Sequence, residues 1–398
     1  MANGEWMMLP GLEIRAPLES ESDALCRFEF GDRANDWGHR ITESHYDWST
    51  SRVALLDGNI ISHVAIYDAR MRIGACTARS GGVNLVYTVK EHRGKGVMRA
   101  VMESCLSAMW DNGYDTSVIV NGIRDFYTKF GYVFTWPRSN YFVQTEQMPA
   151  EAPTLTHRHF DRVVHTDRHA ELNNLEYDGI TGTVVRPAFL AGAKSPGEGY
   201  ELLDTEGNVR AFCHTRPKND TLYVDEYAGE PEQTLRLLGK LARDHVVKQV
   251  QFHRLPDRSR MARLLSRTHS QCIQEFSDSA CFTSKIINLR STLTRISDEL
   301  SIRLQRTAFH AWSGLLKITC EDQTVCLEIS NGTVQTEATA KNTDHTLSGD
   351  QHITQQLFGM DHPEHVIDDT EIQCTGQGRD LALALFTAQS PLMLNQSC

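Results

Sequence analysis

A polar stretch over residues 19–51 carries helix-forming residues and predicts a helical opening. VALLDGNIISHVAIYDARMRIGACTA follows, two apolar runs about an Asp-Gly-Asn turn, the pattern of a β-hairpin. Gly81-Gly82 then leads into the strand VNLVYTV. After Gly96 the period changes: Met98, Met102, Cys105 and Met109 share one helical face, and Asn112-Gly113 stops the helix. TSVIV (116–120) is a strand, IRDFYTKF a short helix and GYVFTW another strand. Strand, loop, helix and strand in that order predict a crossover unit on a mixed sheet.

Around 146–155, EQMPAEAPT reads as a linker. Beyond it the order of elements recurs. GYELLDTEGNVRAFCHT is a hairpin, TLYVDEYAG a strand, PEQTLRLLGKLARDH a helix opened by proline, and VKQVQFHRL a strand. DRSRMARLLSR is a helix and ACFTSKIIN a closing strand. The basic, glycine-rich junction of the first unit is missing, since AGEPEQ alone joins strand to helix, so the middle segment reads as a duplicated scaffold without its loop. From about 291 the texture changes to a helical or mixed STLTRISDELSIRLQ and an alternating, antiparallel-sheet pattern in AWSGLLKITCEDQTVCLEISNGTVQTEATA. LSGDQHITQQLFG predicts a helix capped by Ser348 or Asp350, and RDLALALFTAQ another short helix.

Length fits this division, because 398 residues exceed what one hydrophobic core organises. The expected fold is α/β and α+β, in three parts: 1–148, 149–290 and 291–398. A hydrophobic share of 40% with 23% charged residues describes a globular chain. No apolar run reaches the roughly 18 residues of a membrane span, and the start lacks a signal-peptide layout, so the cytoplasm is the expected location. The net charge of −11 is uneven: residues 291–398 hold 6 Lys and Arg against 14 Asp and Glu. That balance argues against nucleic acid and suits a cationic substrate. The ten cysteines form no CxxC pair and no HExxH occurs, so no metal is called for. His165 and His169, one helical turn apart, are expected at the surface.

The chemistry concentrates at EHRGKGVMR (91–99), between LVYTV and an amphipathic helix. A strand feeding a helix through glycines presents free N–H groups at the positive helix end, an anion site. Arg93 and Lys95 add charge-assisted bonds, and Gly94 and Gly96 let the backbone approach. Alone, RGKG is a weak signal, because a basic turn with two glycines often occurs by chance.

RGKG followed by a helix, a strand and FYTKFGY resembles the GCN5-related N-acetyltransferase (GNAT) superfamily. GVMRAVM, with Met98 where Gly or Ala is usual, resembles the Eis-type (enhanced intracellular survival) branch. That resemblance implies two tandem GNAT domains, the second lacking a cofactor loop, and a C-terminal domain like sterol carrier protein 2. It implies direct transfer of acetyl from acetyl-CoA to a primary amine of a cationic small molecule or a lysine side chain. Pantetheine would follow Val86, Tyr87, Thr88 and Val89. The pyrophosphate would sit on Arg93, Gly94, Lys95, Gly96, Val97 and Met98, with Asn121 also at the cofactor. Tyr127 would be the general acid, with Tyr132 as the alternative, and the carboxylate of Cys398 the base, its tail anchored by Leu392, Met393 and Leu394. His39, His45 or a water chain would be the substitute base. Asp32, Asp36 and Trp37 would receive the amine, and a homo-oligomer, a hexamer, is expected. The other readings are a lipid carrier or scaffold using the C-terminal domain, and a CoA-sensing regulator without turnover.

Overall fold

The computed structural model describes residues 9–42, 45–120, 123–160, 166–187, 197–277, 282–337, 342–359 and 361–389. The strands in chain order are β1 (Leu12–Arg15), β2 (Arg52–Leu56), β3 (Asn59–Ile73), β4 (Cys76–Thr88), β5 (Thr116–Val120), β6 (Val133–Trp136) and β7 (Arg138–Gln144). There follow β8 (Thr156–Phe160), β9 (Glu198–Leu203), β10 (Val209–Lys218), β11 (Thr221–Gly229), β12 (Gln249–Phe252), β13 (Ser270–Glu275) and β14 (Phe282–Ile286). The last are β15 (Gly314–Cys320), β16 (Gln323–Ser330), β17 (Thr333–Thr336), β18 (Thr346–Gly349) and β19 (Gln373–Thr375).

They form three sheets. The first runs β1-β2-β3-β4-β5-β14-β6 and the second β8-β9-β10-β11-β12-β7-β13. Position for position the two match, and in each the fourth and fifth strands are the parallel pair, β4 with β5 and β11 with β12. Each sheet also takes its sixth strand from the other half of the chain: β14 pairs with β5 and β6, and β7 with β12 and β13. Sheet membership therefore crosses the cut expected at 148, while the third sheet lies wholly beyond 290. The third sheet, β17-β16-β15-β18-β19, with the helices Leu289–Arg295, Ser297–Gln305 and Gly378–Leu385, is the further α+β domain.

Several local expectations are corrected. Gly81-Gly82 lies inside β4, which turns back from β3 at Gly74-Ala75. A Cβ at Gly81 would stand 2.5 Å from Met109 Sδ, so the glycine lets the Val97–Asp111 helix seat closely on the sheet. The opening is three short helices, Ser22–Phe30, Ala34–Trp37 and His39–Thr42, and Tyr46 beyond them forms a β-bridge to Tyr67. Ser348 sits in β18, paired with Thr319 of β15, and so does not cap the Ile353–Phe358 helix; His352 at its start makes no side-chain cap bond, while Asp350 Oδ1 accepts the His352 amide at 3.0 Å. Here sheet pairing outweighs a local capping preference. β8, β13 and the Asp167–Glu176 helix are additions that the hydrophobic pattern does not reveal. His169 is fully buried and not at the surface: its Nε2 meets Glu201 Oε1 at 2.7 Å. His165 lies outside the described residues.

The first and third domains share one core. Trp136, fully buried, stacks on Phe282 with centroids 5.6 Å apart and packs on Phe358 at 5.5 Å. Glu299 accepts the Ala75 amide at 2.9 Å, and a Cβ at Gly74 would collide with its carboxyl group. Asp115, fully buried, pairs with Arg295 at 2.7 Å and accepts from Ser291.

Candidate functional site

β4 and β5 pair as far as Val83 and Ile119, after which β4 runs on to Thr88 without its parallel neighbour. At the parting Leu85 takes φ +48°, steadied by the Asn84 side chain, whose Oδ1 accepts the Leu85 amide at 2.7 Å. A β-strand edge parting from its neighbour leaves backbone groups available to an extended ligand. Beyond Thr88, a 3₁₀ turn (Lys90–His92) and Arg93–Gly96 lead into the Val97–Asp111 helix. Gly94 and Gly96 have φ of +72° and +81°, a region that side chains other than glycine enter at a cost. The first helical bond runs from Ala100 N to Gly96 O, so the amides of Val97, Met98 and Arg99 stay free of helix partners. Arg93 is braced, donating from Nε to Thr88 O at 2.8 Å with its guanidinium 5.4 Å from the Tyr87 ring.

A cavity of about 510 Å³ joins these parts. Val86, Tyr87, Thr88, Arg93, Gly94, Gly96, Val97, Met98 and Tyr127 line it together with Ile123, Phe126, Lys129 and Phe130. Of the other residues considered for a cofactor, Val89 packs into the neighbouring core, Lys95 is exposed on the loop, and Asn121 lies outside the described residues. Met98, half-buried, faces the cavity, whereas Met102, Cys105 and Met109 are fully buried.

The two tyrosines differ in their commitments. Tyr132 is fully buried and its hydroxyl meets Ser117 Oγ at 2.7 Å, while Ser117 Oγ donates to Gly81 O. Tyr127 lines the cavity, packed edge-on against Phe126, and burial pushes its phenol up to about 12. It therefore holds its proton at neutral pH, as a proton donor must.

On the side of the helical opening, a second cavity of about 600 Å³ is lined by Asp32 with Asp23, Arg27, Asn35 and His39. Trp37 is half-buried, with the Arg40 guanidinium 5.7 Å from its ring. The side chain of Asp36 and residues 390–398, with Leu392, Met393, Leu394 and Cys398, lie outside the described residues. His45 is exposed, and its carbonyl accepts the Asp68 amide. Three further residues assemble behind the groove: His63 Nδ1 meets Glu29 Oε1 at 2.6 Å, and His63 Nε2 meets the Tyr46 hydroxyl at 2.9 Å. The one sequence signal for them is a histidine inside the apolar run IISHVAIY.

The matching junction of the second sheet is closed. Glu230 alone separates β11 from the Pro231–Asp244 helix. Gly229 has φ +103° and lies so near β10 that a Cβ would stand 2.2 Å from Arg210 O. Proline at the first helical position also removes a free N–H.

A parallel pair parting beside a glycine-rich helix start, with a phenol across the gap, forms an open groove that ends in unpaired helix amides. Residues 24–135 match the acetyltransferase (GNAT) domain family. Over these residues the chain carries an acetyltransferase (GNAT) domain. No curated protein matches the sequence. Among solved structures, a GCN5-related N-acetyltransferase from Anabaena variabilis is 14% identical with TM-score 0.76, over 96% of this chain and 99% of its own. A probable N-acyltransferase from Enterococcus faecalis is 16% identical with TM-score 0.75, over 96% and 99%. Eis1 from Mycobacterium abscessus is 15% identical with TM-score 0.65, over 94% and 97%. At these identities the likeness concerns the fold, and it extends through all three domains.

Proposed function

We propose that the protein is an Eis-type enzyme that transfers acetyl from acetyl-CoA to the primary amine of a cationic small molecule or of a lysine side chain. The observation that carries this reading is the single groove uniting the open edge of β4, the free amides after Gly96 and the Tyr127 phenol. Pantetheine lies along Val86–Val89, and the pyrophosphate on the amides from Arg93 to Met98; the resemblance also assigns Asn121 to the cofactor. The neutral amine attacks the thioester carbonyl, the C–S bond breaks, and Tyr127 protonates the departing thiolate. The Eis-type resemblance gives the base's role to the Cys398 carboxylate, with His39, His45 or a water chain as substitutes.

Asp32, Asp36 and Trp37 are assigned to the cation; Asp23 and Asp32, which line one cavity together with Arg27, supply two carboxylates for such a guest. The third domain is read as sterol-carrier-protein-2-like and the assembly as a cytoplasmic homo-oligomer, a hexamer. No helix among the described residues is long and apolar enough to cross a membrane. The test is CoA release from acetyl-CoA across aminoglycosides, polyamines, arylamines and lysine peptides. Turnover with cationic primary amines is expected. CoA binding without turnover on any acceptor would make the protein a sensor instead.

A further inference from the structure

Acylation of an amine needs a group that takes a proton, because aliphatic amines are mostly ammonium at neutral pH. Tyr87 forms part of the groove wall and is the cross-strand partner of His63. The Ser22–Phe30 helix lies over both: its Phe28 packs on Tyr87 with centroids 5.4 Å apart, and its Glu29 meets His63. The pair therefore sits one strand behind the groove, on the sheet face that carries the helical opening. His63 is fully buried, and the Glu29 side chain is 6% exposed.

The tautomer follows from chemistry. With a single ring proton, Nδ1–H donates to the Glu29 carboxylate and Nε2 then accepts from the Tyr46 hydroxyl. Glu29 Oε1 is thus occupied, and Oε2 has no hydrogen-bond partner among the described residues. The other groups around the pair are Arg40, whose charge reaches Glu29, Tyr67 and Ser51 beside Tyr46, Cys26 on the same helix, Cys105 from the Val97–Asp111 helix, and Tyr87 with Arg93 at the groove. A buried carboxylate with a neutral imidazole is a buried negative charge, and a proton on it removes that charge. Burial accordingly holds the Glu29 carboxyl above its ordinary value, against the opposing pull of His63.

We propose that the Glu29 carboxylate, oriented by His63 and Tyr46, receives the proton that the acceptor ammonium sheds before it attacks the thioester. This rests on the amine-acylation reading above. The ammonium N–H breaks and its proton passes to Oε2, directly or through one water. The free amine forms the N–C bond as the C–S bond breaks, and the thiolate takes its proton from Tyr127. The acylated nitrogen sheds its second proton to solvent, and solvent removes the proton from Glu29 and restores that of Tyr127, so the net products are amide, CoA and one proton. His63 and Tyr46 are positioning residues.

The test is kcat against pH for the full-length protein with acetyl-CoA and the best amine of the panel, comparing wild type, Glu29→Gln, Glu29→Asp and His63→Asn. Glu29→Gln keeps the shape and the bond to His63 but takes no proton. At pH 7 its kcat is expected to fall about 100-fold with the KM for acetyl-CoA within about twofold, the scale of losing a general base. That deficit should shrink about tenfold per pH unit, because rising pH supplies neutral amine without help. Glu29→Asp should recover part of the rate. Should Glu29→Gln not fold, His63→Asn, which keeps a donor near Oε1, carries the test with a smaller loss and a displaced pH midpoint.

A loss that is equal at every pH marks a packing role and overturns the proposal, as does an unchanged profile in Glu29→Gln. Removal of residues 394–398 that abolishes the acid limb while Glu29→Gln preserves it gives the role to the tail. Wild type that binds CoA but acylates no amine overturns the functional reading and this proposal with it. Turnover by wild type, unaffected by Glu29→Gln, overturns the relay alone.

Discussion

The two seven-stranded sheets share strand order, parallel pair and even the strand that each lends the other, yet only one has an open junction after its fourth strand. In the first, Gly94 and Gly96 hold a loop away from neighbouring chain, and no atom lies within 4 Å of where a Cβ at Gly94 would be. In the second, Gly229 serves the opposite purpose, because its missing side chain lets β11 and β10 close up. The same residue type thus keeps one junction open and the other shut. Fold similarity alone does not distinguish them; the site does. The exchanged strands β7 and β14 bind the halves together, so the second domain supports the first whether or not it holds a ligand.

The largest test of this contrast is Tyr127→Phe. Without the phenol, kcat should fall about 10²- to 10⁴-fold, with little change in acetyl-CoA affinity, as for loss of a positioned acid. Tyr132→Phe, five residues on, should lose only the bond to Ser117, roughly 1 kcal/mol of stability, and keep its kcat. Equal kinetic losses in both would erase the distinction drawn between a groove phenol and a core phenol. Next in size is Gly229→Ala, whose Cβ meets backbone. Overpacking costs about 1–3 kcal/mol, read as a lower midpoint of denaturation, with the KM for acetyl-CoA unchanged. Gly96→Ala should do the reverse: strain at φ +81° and a methyl group on the loop should raise that KM about tenfold, with a smaller effect on stability. A Gly229→Ala variant that weakens acetyl-CoA binding while remaining folded would mean that the second junction takes part after all.

How much of this was readable from the chain depends on how local each feature is. The loop, its helix and Tyr127 lie within 35 consecutive residues, and their periodicity and glycines are local signals. The strand exchange is not local: β7 pairs with β12, over one hundred residues further on, and pairing partners leave no mark on hydrophobic alternation. Glu29, His63 and Tyr46 come from separate segments brought together by packing of the Ser22–Phe30 helix on β3. Ser348 misleads for a related reason, since its capping chemistry is real but β15 offers a ladder that satisfies more backbone. His169 looks like a surface residue until Glu201, on β9, provides a buried partner.

The smallest effect concerns the two cations of the open loop. Both can meet a phosphate, but Arg93 is fixed by Thr88 O and the Tyr87 ring, so little of its freedom remains to be lost on binding. Lys95 is exposed at the rim. An exposed charge pair contributes roughly 0.2–1 kcal/mol and is screened by salt. Lys95→Ala should therefore raise the KM for acetyl-CoA only about two- to fourfold at low ionic strength, and the difference should vanish near 0.5 M salt, where the screening length is a few ångströms. Arg93→Ala should cost more and keep most of its penalty in salt, because a guanidinium braced by Thr88 O and the Tyr87 ring also loses geometry. Steady-state kinetics at two salt concentrations separate them. Equal salt sensitivity in both variants would show that the loop acts through charge alone, and that the brace on Arg93 adds nothing to the contrast with the closed junction after β11.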